Sequence, residues 1–259
     1  MTDQTASVSE IYADLASGEQ PGGAAGRIVA ANERTRDLAR ANRAWLERVV
    51  RHLIAQGVRQ FVDVGSAAIA GEGSVHAIAA SIVADTRVVY VDIDPEAVAQ
   101  LTDALRGDER AVALEGDLTQ TAELLRRVEG TGLIDPNEPV GLLLAAVLHF
   151  VLDDEAADRA LATTREWLPS GSYLAISHGA TESFTPEEVE KLRAAYAKTA
   201  AIRSTARTRE QVAAYLGDFE LVPPGVVFVS QWRPELVPAG PSFERPERSG
   251  LHAAVGRKA

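Results

Sequence analysis

Five short apolar runs, each separated from the next by a helical stretch, constrain this chain more than any other feature. FVDVG (61–65), RVVYVDID (87–94), AVALEGD (111–117), VGLLLAAV (140–147) and GSYLAISH (171–178) are rich in β-branched and aliphatic residues and carry few polar ones. Such runs suit strands covered on both faces, where a strand with one wet face would alternate. The stretches 73–84, 95–105, 119–129 and 155–168 between them read as helices, and Pro95 opens one where a first turn tolerates a missing N–H. Strands joined by helices of this length imply right-handed crossovers. The expected fold is therefore α/β, a doubly wound, mostly parallel sheet of Rossmann-like type.

Before the first strand, Leu38, Trp45, Val49 and Leu53 recur at helical intervals, which predicts an amphipathic helix over 27–56 ended by Gly57. Residues 1–26 are small and polar, with PGGAAG (21–26) as a break. We therefore divide the chain into an N-terminal helical cap, 1–56, and a ligand-binding domain, 57–259, with lid helices at 181–217. Within the lid, TPEEVEKLRAAYAKT and TREQVAAYLGD are the expected helices. ELVPPGVVFVSQWRP and GLHAAVGRKA are expected as closing strands, the last returning as an edge.

Composition narrows the function classes. At 46% hydrophobic and 24% charged residues the chain is an ordinary globular sequence, and no apolar run approaches the ~20 residues that span a bilayer. The start, MTDQTASVSE, lacks the basic and apolar regions of a signal peptide, so a cytoplasmic location is expected. With no cysteine there is no disulfide, thiolate metal site or cysteine nucleophile, and no metal is expected. A net charge of −11 repels phosphate backbones and argues against a nucleic-acid partner. Arg27, Arg34, Arg36, Arg40, Arg43, Arg48 and Arg51 nevertheless gather in one helical stretch, among Glu33, Asp37 and Glu47. A solvated face with internal ion pairs is the plainer reading; one or two arginines binding a carboxylate in a cleft is the other. Neither composition nor pattern specifies an oligomeric state.

In an open parallel sheet, ligands bind beyond the carboxyl ends of the strands, near the point where strand order reverses. The residues to inspect are therefore Asp63 and Gly65 after the first strand, Asp92, Ile93 and Asp94 after the second, Gly116, Asp117 and Leu118 after the third, and Ala145 to His149 after the fourth. Asp92 is placed to accept hydrogen bonds from both hydroxyls of a ribose. Its competing role, capping helix 95–105, suits Asp94 better. Asp117 stands where a carboxylate can accept from the exocyclic amine of an adenine, or simply form a turn.

From Gly57 onward, the segments GVRQFVDVG, SVHAIA, RVVYVDIDPEAV, PVGLLLAAVLHFVLDDE, LPSGSYLAISH, PPGVVFVSQWRP and HAAVGRKA resemble, in order, the class I S-adenosylmethionine (SAM)-dependent methyltransferases. The resemblance is specifically to a family of proposed methyltransferases known mainly as a domain of unknown function abundant in actinobacteria. It implies SAM as cofactor and a small-molecule methyl acceptor, a specialised metabolite. It also implies cofactor contacts from Asp63, Gly65, Ser66, Ala67, Asp92, Ile93, Asp117, Leu118, Ala145 and Ala146, with Arg43 on the methionyl carboxylate. VLHFV followed by acidic residues resembles the segment after the fourth strand of many small-molecule methyltransferases, which makes His149 the leading pocket-facing contact or base. His178 is a second candidate, His76 is expected to steady the glycine-rich loop, and Tyr12 to cap the pocket.

Two departures from the family pattern stand out. Where the family continues its first strand with Gly-x-Gly, this chain has Gly65-Ser66-Ala67-Ala68, with glycines only later at Gly71 and Gly73. Of the family's N-terminal tyrosine, double-glycine-lysine and aspartate, only IYADLASGEQ is recognisable, where Tyr12, Leu15 and Gly18 correspond and the lysine and aspartate are missing. These departures motivate an alternative, a SAM-binding protein without methyl transfer, acting as a cyclase or regulator. A nicotinamide oxidoreductase fits the ribose aspartate but lacks the glycines that let a pyrophosphate approach the helix.

Overall fold

The computed structural model describes residues 7–17, 21–67, 69, 71–199, 203–237 and 240–259. Its strands are β1 (Gln60–Val64), β2 (Arg87–Asp92), β3 (Ala111–Glu115), β4 (Val140–Ala145), β5 (Tyr173–Gly179), β6 (Glu220–Leu221), β7 (Val227–Phe228) and β8 (Leu251–Arg257). They form one sheet in the order β3-β2-β1-β4-β5-β8-β6, with β7 also paired to β8. β1 to β5 run parallel, and β8 is antiparallel to β5. The expected doubly wound, mostly parallel sheet is therefore present.

Alternate residues of each strand serve opposite faces, so both faces need covering. Phe61, Val88, Tyr90 and Leu143 join the core cluster beneath the long helix, whereas Val62, Val89, Leu142 and Leu144 join the cluster on the other face. The helices are α1 (Val8–Ala16), α2 (Gly23–Ala31), α3 (Arg34–Ala55), α4 (Val75–Ala80), α5 (Pro95–Ala104), α6 (Thr121–Gly130), α7 (Asp154–Trp167), α8 (Pro186–Thr199) and α9 (Arg209–Ala214). α3 covers the first face through Leu46, Val49, Val50 and Leu53. Leu124, Leu125 and Val128 of α6 and Leu161 of α7 cover the second, and Val212 of α9 packs with them. No helix among the described residues is long and apolar enough to cross a membrane.

Three expectations need revision. The helix over 27–56 is two helices, because the Asn32 side chain accepts from the Arg34 N–H and its carbonyl from the Thr35 N–H, restarting the chain as α3. The described part of the N-terminal stretch holds structure of its own: Ser7 and Glu10 form a reciprocal capping box that starts α1, and α2 begins within PGGAAG, at Gly23. Finally, the terminal strand is not the edge. β8 lies between β5 and the short β6 and β7, the run 220–234 being split around Pro223 and Pro224, which have no N–H to give a ladder.

The arginine-rich helix divides by environment. Arg51 pairs with Glu47 one turn away, as a solvated face does, and Arg34 reaches Glu188 of α8. Arg48 is 4% exposed and donates to the carbonyls of Val229 and Trp232, tying α3 to the segment after β7. Replacing Arg48 by alanine leaves those two buried carbonyls without a donor. Arg48→Ala is expected to cost about 2–4 kcal/mol in urea denaturation, and Arg51→Ala under about 0.5 kcal/mol.

Candidate active site

The sheet changes direction between β1 and β4: the chain moves outward through β2 and β3 on one side and through β5 on the other. The turns that leave these two strands meet. Gly65 has φ +75°, and a Cβ there would lie 2.5 Å from Cγ2 of Val147 in the β4 turn. Glycine is required at this position both by its backbone and by the opposite turn.

Around this junction the strand-end residues come together. Asp63, expected after β1, lies inside it, paired with Tyr90 and Leu143 one residue before the strand ends. It is 3% exposed, and no hydrogen-bond donor reaches its carboxylate among the described residues. Burial pushes its pKa up to about 7, against the Arg43 guanidinium, which lowers it; Asp92 adds to the rise. Arg43 comes from α3 and donates to the Gly73 carbonyl in the loop after β1. The Ser66 hydroxyl is buried without a partner among the described residues. Ala67, standing where the family has its second glycine, adopts φ +51° and donates its N–H to Oδ2 of Asp92 at 2.8 Å.

Asp92 closes β2 and is 4% exposed. Its Oδ1 accepts from the Asp94 N–H and from the Ser9 hydroxyl, each at 3.0 Å. Asp94 itself caps α5 through the Glu96 N–H. Ile93 beside it is 66% exposed, an apolar side chain left in the open at the mouth of the crevice. Oδ1 of Asp117 accepts from the Thr119 N–H and hydroxyl, so this residue does form a turn, while Leu118 is buried in the second core. His76 donates its backbone N–H to the Tyr90 hydroxyl and sets its ring 3.2 Å from Asp108. This fastens the start of α4 to β2 and to the turn before β3.

On the other side of the junction, Ala146 has φ +60° and donates to both the carbonyl and the hydroxyl of Ser177; Ala145 before it ends β4. The Ser177 hydroxyl donates to Oδ1 of Asn42, whose Nδ2 donates to the Tyr12 hydroxyl at 2.6 Å. Tyr12 in turn stands near Asp63 and Arg43.

The two histidines assigned to chemistry behave differently. His178 accepts at Nε2 from Arg207 at 2.7 Å, so its proton is on Nδ1, which donates to the Gly179 carbonyl. Arg207 is buried and bound also to Asp154 and to the Leu148 and Val151 carbonyls, which makes His178 part of a structural anchor. His149 sits edge-on to His178, with ring centroids 5.7 Å apart, and its Nδ1 is buried without a partner. Burial, then the neighbouring His178 and Arg207, drives its pKa down to about 3.

Ser9, Asn42, Ser177 and Arg207 were not anticipated. Asn42 had a signal, a lone amide on the buried side of α3, and Ser9 lies inside the capping-box sequence SVSE. Arg207 had none. Leu15 packs in the small cluster of α1 and α2, and Gly18 and Ala68 lie outside the described residues.

A crystal structure from Thermobifida fusca YX, of a protein provisionally assigned as a methyltransferase, is 30% identical over 97% of this chain and 94% of its own, with a TM-score of 0.84. A DUF574 family protein from Streptomyces avermitilis MA-4680 is 33% identical over 99% of both chains, with a TM-score of 0.87. The N-methyltransferase NodS from Bradyrhizobium japonicum WM9, solved with S-adenosyl-L-homocysteine (SAH), shares the fold at 13% identity, covering 96% of each chain with a TM-score of 0.50. No curated protein matches the chain. The S-adenosyl methyltransferase family model matches residues 20–259, and the chain belongs to that family.

Proposed function

We propose that the crevice between the β1 and β4 turns holds SAM and that this enzyme methylates a hydroxyl or amine of a small, specialised metabolite in the cytoplasm. The observation that carries the placement is Asp63. A buried carboxylate with no donor of its own, beside a guanidinium, complements the ammonium and carboxylate of an amino-acid moiety. The unpartnered Ser66 hydroxyl is available to the same moiety. Asp92 is the ribose ligand in this reading, and exposed Ile93 is the shelf under the adenine. Asp117, whose Oδ1 is taken by Thr119, is assigned with Leu118 to the ring edge in the same reading.

The missing second glycine does not remove the turn. Ala67 takes the left-handed conformation at a cost of about 1–2 kcal/mol, and its N–H bond to Asp92 helps hold it there.

Bound SAM supplies an already activated methyl on sulfur, so the chain's own task is to orient the acceptor and exclude water. His149 is neutral near pH 7 and accepts a hydrogen bond from the acceptor's O–H or N–H, fixing which lone pair faces the methyl. With its pKa near 3 it positions the acceptor and does not retain the proton. In the division into cap (1–56) and binding domain (57–259), the lid helices over 181–217 are α8 and α9, and α8 rests on the cluster of α1 and α2 through Leu192 and Ala195, as a wall of the acceptor side would.

Incubation with SAM and a panel of phenols, carboxylic acids and amines is expected to yield SAH with at least one acceptor; cofactor binding without SAH across the panel favours the non-transferring alternative. Asp92→Ala is expected to abolish calorimetric binding of SAH, and unchanged affinity overturns the site. Because Asp63 must be ionised to hold an ammonium, SAH affinity should fall about tenfold per pH unit below about 7. Asp63→Asn should bind weakly and flatten that dependence. Ala67→Gly relieves the left-handed strain but gives up chain stiffness worth about 0.4–1 kcal/mol. Its melting temperature is therefore expected to stay level or rise by a few degrees.

A further inference from the structure

Asp92 has three protein donors before any ligand arrives. Oδ2 takes the Ala67 N–H, and Oδ1 takes both the Asp94 N–H and the Ser9 hydroxyl. An ionised carboxylate offers about four acceptor positions, and gripping both hydroxyls of a ribose takes two of them. Two of the three donors are backbone N–H groups in the turns that shape the crevice. The third is a side-chain hydroxyl, chemically the same group as a ribose hydroxyl, carried on a helix from outside the sheet.

That helix is a separate piece that packs on α3 and α2. α1 has nine residues, and its buried side chains are Ser9, Ile11 and Leu15. Ile11 and Leu15 pack in the small cluster with Ala25, Ile28 and Ala39, against which Leu192 and Ala195 of α8 also rest, while Tyr12 packs against the first core. Its capping box is internal, so α1 can leave its seat without losing its own start. Among the described residues α1 makes no ion pair with the rest of the chain. One helical turn beyond Ser9, Tyr12 is held by Asn42 and stands near Asp63. The same face of α1 therefore bonds to the group assigned to the ribose and stands near the group assigned to the ammonium.

We propose that α1 is a displaceable lid on the cofactor crevice: the Ser9 hydroxyl holds on Asp92 the position a ribose hydroxyl takes, so cofactor entry and docking of α1 through Ser9 exclude each other. This rests on the reading of Asp92 as the ribose ligand. It makes the free protein a closed state, whose apparent affinity for cofactor is lowered by the fraction of time α1 is seated. It also gives the undocked helix a second consequence, the withdrawal of Tyr12 from beside Asp63, which opens both ends of the crevice together.

The test uses SAH as the probe and the full chain. Removing a hydroxyl that competes for a charged acceptor should tighten binding, so Ser9→Ala is expected to bind SAH about three- to tenfold more tightly by calorimetry. In the unaltered chain, hydrogen–deuterium exchange over residues 8–16 is expected to speed up when SAH is added. Equal or weaker binding by Ser9→Ala, or slower exchange of α1 with SAH, overturns the lid and makes Ser9 an ordinary wall of the site. No heat from SAH with the unaltered chain overturns the assignment of Asp92 itself, and the lid with it.

Discussion

The contact of Gly65 with Val147 is the constraint on which the candidate site depends. Two strands that leave a parallel sheet side by side must send their chains apart, and here the two exits touch before they part. There is no room for a Cβ at Gly65, so the β1 turn folds tightly against the β4 turn. Everything assigned to the ligand follows from that closeness. Ala67 is delivered onto Asp92 and Ser66 onto the Val91 carbonyl of the neighbouring strand, and Ala146 and His149 are delivered to the opposite wall.

Both exits also hold a non-glycine residue in the left-handed region, Ala67 on one and Ala146 on the other. Such strain survives where surrounding bonds over-determine it. Here the bonds can be named: the Asp92 carboxylate for Ala67, and the Ser177 hydroxyl and carbonyl for Ala146. Alanine adds only a methyl to what glycine would bring, and the bonds use its backbone N–H, so the turn persists without its second glycine.

The sheet was legible because buried parallel strands write long apolar runs, and RVVYVD and VGLLLA leave little else to be. Asp92 was legible for the same reason, since it stands where the apolar run of β2 stops; Asp63 interrupts its own run one residue short of the end of β1, inside the sheet. What could not be read lay outside those runs. α1 and α2 bury only a few small side chains, so their hydrophobic pattern is weak, and the Ser7–Glu10 capping box was their one local mark. The position of β8 was hidden because its neighbours β6 and β7 are two residues each. The role of Arg207, which locks His178 and Asp154, arises from tertiary contacts between segments 29 and 53 residues away and leaves no trace in its own surroundings.

The line of bonds from Ala146 through Ser177 and Asn42 to Tyr12 has a polarity. The peptide N–H gives to the serine oxygen, the serine gives to the amide oxygen, and the amide nitrogen gives to the phenol. Turning the Asn42 amide round would set its NH2 against the serine proton and break the sequence at both ends. Among the described residues the phenolic hydrogen is thus the terminal, uncommitted one of the series, and whatever arrives beside that ring meets an O–H with a proton to spare.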